Sequence, residues 1–298
     1  MMMDRPRPQA IVDTWRNFWF RPEPLYALGL IRIAFGLLIV CWTLSLLPNI
    51  YDFFGVEGVS LPGDIGRYRW SIFEIWPNDT LLLIGWIVLM LAAVALTVGW
   101  HSRFAAVIVF MLVLSFDRRN PSVFNSGDML IRIEALFIAL APTGAALSFD
   151  QRRRTGDFWS AQTRAPWAIR LMQCQLSLIY LATVRAKLSG TTWPDGTAVS
   201  YALQLWDMLL LPVPNFIKTN ALLMNIATWG TLLIETAIPI LVWVRSLRWW
   251  VLGAGVFLHL SIMITMAVGF FTPGMMILYL AFIPPDTAER LIGRLRAR

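Results

Sequence analysis

Charge is what this chain has least of: Asp, Glu, Lys and Arg make up 14% of its 298 residues, against about a quarter in an ordinary soluble domain. With 57% hydrophobic residues and a mean hydropathy of +0.62, that scarcity excludes a conventional soluble fold. Long polar intervals are missing too. The longest, 1–24, 50–79 and 148–166, are too short to hold cores of their own. Cysteine and histidine are nearly absent. Cys41 and Cys174 both sit inside apolar runs, which excludes a disulfide framework or a zinc site and makes them small hydrophobes in helix packing. Two histidines, His101 and His259, are too few for a histidine-rich metal centre, so no metal site is expected. The Gly-x-Ser-x-Gly, His-Glu-x-x-His, phosphate-loop and Cys-x-x-Cys signatures do not occur. Neither a fixed-period repeat nor an inverted repeat is visible, which counts against a transporter built from two matching halves.

What is present is a series of apolar runs approaching the roughly 20 residues that cross a bilayer. Unpaired backbone groups are costly in lipid, so the spans are expected to be helical. The expected fold is all-α: a polytopic transmembrane bundle of about eight spans near 25–47, 80–100, 103–117, 129–147, 167–188, 220–244, 248–268 and 270–284. A further run, 199–211, ends at Pro212 and Pro214 and reads as a re-entrant or interfacial helix. The opening MMMDRPRPQAIVDTWRNFWF lacks the apolar core of a cleavable signal. Trp15, Phe18, Trp19 and Phe20 mark residues 1–24 as an interfacial segment instead. Residues 286–298 read as a basic tail.

Lysine and arginine placement sets the orientation. With the N-terminus inside, the cytoplasmic segments hold sixteen cations and the opposite side five, the remaining four of the 25 lying within spans. Both termini are therefore expected in the cytoplasm, in the inner membrane of a bacterium. The net charge of +7 reflects this bias, and no nucleic-acid partner is expected. The outer loops are the unusual ones: DRRNPSVFNSGD over 117–128 crowds arginine, asparagine and aspartate into one turn, and the loop after Lys187 carries Trp193, Asp195 and Gly196.

Ionisable groups inside a bilayer are costly, about 2.5–3.5 kcal/mol each on the lenient insertion scale, and usually pair. Here they are Arg32, Arg132, Glu134, Arg185, Lys187 and Glu235, with His259 deep in the seventh span. Asp128 is spaced to pair with Arg132, Asp195 is a candidate for Lys187 or Arg185, and Glu134 and Glu235 are candidates for Arg32. Gln173, Tyr180 and Lys187 recur every seven residues and form a polar stripe along one helix face. The stripe is either a hydrogen-bonded seam between helices or one wall of a polar cavity. Lys187 either snorkels to the interface or, desolvated beside Arg185, serves as a base. His259 is either a packed hydrogen-bonding group or a proton-handling one.

Several segments resemble the HTTM domain, whose membrane core is shared with vitamin K-dependent γ-carboxylase: GLIRIAFGLL, DRRNPSVFNSGDMLIR, AKLSGTTWPDGTAVSYAL and HLSIMITMAVGFFTPGMMILYLAFIP. The resemblance covers about 25–285. It implies that Lys187 matches the carboxylase's base and that His259 matches a histidine of the same family. It also implies a quinone or hydroquinone as the cofactor class, left unassigned here. Gly127 and Asp128 stand where the carboxylase has a histidine, LSIMIT after His259 lacks its asparagine-serine, and the large peptide-binding domain is missing. Full γ-glutamyl carboxylation is therefore not expected. Two functions remain open. One is a membrane enzyme with Lys187 and His259 as catalytic groups and Arg32, Asn125, Asp128, Arg185, Trp193, Asp195 and Glu235 lining an outer-facing site for a quinone- or lipid-like ligand. The other is a non-catalytic accessory factor for the maturation or export of a secreted peptide or a membrane partner protein.

Overall fold

The computed structural model describes residues 8–59 and 70–297. Arg5, Arg7, Arg67, Arg69 and Arg298, which enter the charge count, lie outside them, as do residues 60–69 of the first outer loop. The fold is helical, with one two-stranded antiparallel sheet, and divides into two compact units: residues 1–172 with 283–298, and residues 173–282.

The first unit contains α1 (Pro8–Phe20), β1 (Glu23–Pro24), α2 (Tyr26–Leu46), α3 (Ile50–Phe54), α4 (Ile72–Ile75), α5 (Asp79–Val98), α6 (Ser102–Arg119), α7 (Ser126–Leu140), α8 (Phe149–Thr155) and β2 (Thr163–Arg164). Next comes α9 (Trp167–Leu188), which continues into the second unit with α10 (Ala198–Ala202), α11 (Asn215–Lys218), α12 (Ala221–Leu241), α13 (Arg248–Thr265) and α14 (Phe271–Leu280). The last helix, α15 (Pro285–Arg296), belongs to the first unit.

Among the described residues, four stretches are long and apolar enough to cross a membrane: Tyr26–Phe54, Asp79–Val98, Ala221–Leu241 and Arg248–Thr265. The other four expected spans are helical at the expected places but fall short. α7 has 15 residues and α14 has 10, α6 carries Asp117, Arg118 and Arg119 in its last turn, and α9 is diluted by Gln173, Gln175 and its cations. The span expected over 129–147 ends at Leu140, because Pro142 cannot continue the helix and a 3-10 turn over Thr143–Ala145 follows.

In the first unit α2 packs on α5, α5 on α6 and α6 on α7. Ile31, Phe35, Ile39 and Trp42 line the inner face of α2, while Leu37 and Leu44 on the same helix remain exposed. Apolar side chains thus cover the outside as well as the inside, as lipid-facing helices do. Asn125 and Asp128 start α7 with a capping box: Asn125 Oδ1 accepts from Gly127 N at 2.7 Å and Asp128 Oδ2 from Asn125 N at 2.8 Å. Most of the basic C-terminal stretch is helical, as α15. Ala288 and Ile292 of α15 are buried, and the helix packs on α2 and β1.

The second unit corrects one expectation. Of the helix expected over 199–211, only the first part forms, as α10 (Ala198–Ala202). After α10 and a single 3-10 turn at Trp206–Met208, the chain extends, and Leu209 pairs as an isolated bridge with Met266. Leu210 N donates to Thr265 O at 3.0 Å and Ala267 N to Met208 O at 2.8 Å, so the backbone groups bond across to the end of α13.

Candidate functional site

The polar stripe of α9 is the spine of the second unit. Each of its three side chains bonds to a different part of that unit. Gln173 Nε2 donates to the Ala281 carbonyl at 2.7 Å, just past α14. The Tyr180 hydroxyl shares hydrogen bonds with His259 Nε2 of α13, at 2.7 Å, and with the Tyr279 hydroxyl of α14. Lys187 Nζ donates to both carboxylate oxygens of Glu235 on α12, at 2.5 and 2.6 Å. Of the two readings of the stripe, the seam is the one found. Apolar surface gives helices little reason to associate in lipid, so such interhelical bonds help fix their pairing.

Local sequence explains why these groups meet. Pro239 lies four residues after Glu235 inside α12 and has no N–H to return to the Glu235 carbonyl, so the helix is weakened where the carboxylate sits. Gly255 lies one turn before His259. A Cβ there would fall 2.2 Å from the Tyr279 hydroxyl, so only glycine lets that ring close on α13. The Trp-Pro-Asp-Gly loop folds back over the end of α9, with Lys187 Nζ 4.1 Å from the Trp193 ring centroid. Trp229 of α12 clamps the loop by donating from Nε1 to the Pro194 carbonyl at 3.2 Å.

His259 is buried, and its Nδ1 has no hydrogen-bond partner among the described residues. It lies within electrostatic reach of Lys187, and Tyr180 and Tyr279 lie within reach of Glu235. Five ionisable groups on four helices therefore form one connected cluster.

The other expected site residues fall differently. Arg185 and Asp195 are exposed, and among the described residues neither forms an ion pair; Glu235, not Asp195, is the partner of Lys187. Lys187 does not snorkel free, its side chain being 17% exposed and ion-paired. Arg32, Asn125 and Asp128 belong to the first unit and have structural duties there. Of the candidate acids for Arg32, Glu134 lies in the same unit, and among the described residues it makes no ion pair with Arg32. Its Nη1 donates to Leu96 O at 2.9 Å and its Nη2 to Leu147 O at 2.5 Å, capping the C-terminal end of α5. Asp128 does not pair with Arg132, whose partner is Asp117; its Oδ1 accepts instead from Trp42 Nε1 at 2.7 Å. Cys41 is exposed on α2 and Cys174 half-buried on α9. Among the described residues no group of three or more His, Cys, Asp and Glu side chains is placed to hold a metal.

Tyr279 was missed in the sequence. Its signal was weak: with Thr272 it supplies the polar side chains of an otherwise apolar α14. A second cluster, in the first unit, was missed as well. Asp150 accepts from His101 N at 2.9 Å, from Ser102 N and Oγ at 2.7 Å each, and from Arg153 at 2.5 Å. Burial pushes the Asp150 carboxyl up, but these donors outweigh it and hold it below the usual aspartate range.

The family model of the HTTM domain matches residues 20–287. The chain is 24% identical, over 242 residues covering 76% of each chain, to a protein of Bacillus subtilis (strain 168) named uncharacterized protein YitO. No solved structure matches.

Proposed function

Because the chain belongs to the HTTM domain family, we propose that it is a multi-pass inner-membrane protein whose second unit handles a proton for a quinone- or lipid-like ligand. In this reading α6, α7, α9 and α14 join the four longer apolar helices to make eight spans, with both termini cytoplasmic. Polar and charged helices of this kind cross when their polar faces turn inward and pair, as α9 does through Gln173, Tyr180 and Lys187.

The observation that carries the reading is the bidentate Lys187–Glu235 pair beneath Trp193, with His259 and its open Nδ1 nearby. Moving the proton from Lys187 to Glu235 leaves an amine and a neutral acid. The amine takes an acidic proton from the ligand, such as a phenolic O–H, and the Glu235 acid returns one to a neighbouring oxygen. Trp193 supplies a flat apolar surface for a ring. The reading stops short of γ-glutamyl carboxylation, since Gly127 and Asp128 do not provide the histidine of that reaction. A photoreactive quinone should label α9 or α12 in wild-type protein, and excess unmodified quinone should suppress the label. Labelling spread over the lipid-facing surface, insensitive to competitor, would count against it.

A second reading has its own support. The stretch from α10 to α11 exposes Tyr201, Trp206, Leu211 and Phe216, with Trp206 85% exposed. Such a surface suits an accessory protein that holds a secreted peptide or a membrane partner. Photocrosslinking from position 201 that captures a defined polypeptide, chemically unchanged, would favour it.

A further inference from the structure

The first unit carries a second binding feature, separate from the proton-handling cluster and not dependent on it. A polar cavity of about 350 Å3 is lined by His101, Arg103, Phe104, Asp150, Arg153 and Arg154. His101 and Phe104 also line an apolar groove of about 200 Å3, whose remaining walls come from α5, α6 and the turn between them and include Leu91, Ala95 and Trp100. A basic chamber and an apolar furrow thus share two residues. From this geometry we infer that the joint of α5 and α6 binds an anionic phospholipid, with its headgroup in the arginine chamber and an acyl chain in the groove.

Charge decides the class of headgroup. Three arginines face one carboxylate, and that carboxylate is already engaged: Asp150 accepts from His101 N, Ser102 N, Ser102 Oγ and Arg153. Arg103 and Arg154 are exposed and make no ion pair among the described residues, so two cations are left for a ligand. The apolar walls decide against a free anion. Phe104 is 70% and Leu91 64% exposed, which suits an acyl chain and offers nothing to inorganic phosphate. The backbone is also set for the task. His101 has φ of 44°, a left-handed conformation that a non-glycine side chain adopts at a cost. Its ring is held between the two spaces, edge-on to Trp100 with centroids 4.9 Å apart and with Nε2 3.1 Å from Arg153 Nη1. Basic pockets between membrane helices on the cytoplasmic side are a known way to recognise anionic headgroups, and in the orientation proposed above, on which this step rests, the joint lies on that side.

The test uses purified full-length protein in uncharged detergent, titrated with phosphatidylglycerol, phosphatidylcholine or inorganic phosphate, with Tm and the Trp100 fluorescence, taken as the difference between wild type and Trp100→Phe because the chain has 15 tryptophans, as readouts. Phosphatidylglycerol should quench or shift the Trp100 signal saturably and raise Tm, and the other two should not. Arg103→Glu with Arg154→Glu should weaken the phosphatidylglycerol response by roughly tenfold or more, with Tm in detergent alone unchanged. Ala95→Phe, which fills the groove and leaves every arginine in place, should weaken it as well. Equal responses to the two lipids, or an unaltered response in the double arginine variant, would overturn the inference. A response to phosphate equal to that to phosphatidylglycerol would overturn the acyl-chain half and with it the lipid assignment.

Discussion

Lys187 Nζ lies 2.5 and 2.6 Å from the two carboxylate oxygens of Glu235, so one side chain of α9 is held by both oxygens of a side chain of α12. Removing one partner from a buried pair strands the other charge, at about 3–5 kcal/mol, whereas replacing both with apolar groups of similar volume is often neutral or stabilising. Lys187→Met alone should therefore lower Tm sharply, and Lys187→Met with Glu235→Met should restore it. A double variant as unstable as the single one would show that the pair itself, rather than the stranded charge, holds the unit together.

Asp150 predicts an acid limit. Its folded-state carboxyl titrates below the usual aspartate value, so its stabilisation is present above the unfolded value, near pH 4, and is lost as pH falls through the lower folded value. Asp150→Asn should cost on the order of 2–4 kcal/mol at neutral pH, since four donors lose a charged acceptor. The variant's Tm should also fall less between pH 5 and 3 than that of the wild type, a comparison differential scanning fluorimetry makes directly.

Gly99 tests the role given to Arg32. Its φ is +74°, and a Cβ there would lie 2.1 Å from Arg32 Nη1 and 2.4 Å from Ser148 Cβ. Gly99→Ala must displace the guanidinium from Leu96 and Leu147 and should destabilise by roughly 2–4 kcal/mol. Arg32→Met should be similarly costly, because it leaves both carbonyls without their donor. If Gly99→Ala were silent, the capping role of Arg32 would have to be abandoned.

Glu134 is fully buried in α7, and neither of its carboxyl oxygens has a hydrogen-bond partner among the described residues. A buried polar group without a partner costs about 1–3 kcal/mol. Glu134→Leu should thus raise stability by an amount of that order. Destabilisation instead would mean that the carboxyl supports the fold through a bonded partner such as a buried water.

The helix positions were legible because apolar runs mark them; α9 begins and ends where Trp167 and Leu188 suggested. The stripe through Gln173, Tyr180 and Lys187 was legible from its seven-residue spacing. Pairing was not. Asp128 has the right spacing for Arg132, yet Asp117, fifteen residues away on α6, takes that arginine. Spacing along one helix cannot reveal which neighbouring helix presents a carboxylate. Arg32 shows the same limit: it was expected to seek an acid and instead bonds two backbone carbonyls, acceptors no side-chain pattern announces. The 199–211 run was half legible: α10 forms at its start, but composition does not distinguish a helix from the strand-like segment at its end, whose backbone bonds to the end of α13.

Native mass spectrometry of protein extracted with its own lipids tests the proposed ligand site most directly, comparing the wild type with the Lys187→Met/Glu235→Met protein at matched Tm. The account predicts a quinone- or lipid-like species retained by the wild type and missing from the double variant. Identical retention in both, or none in the wild type, would contradict it.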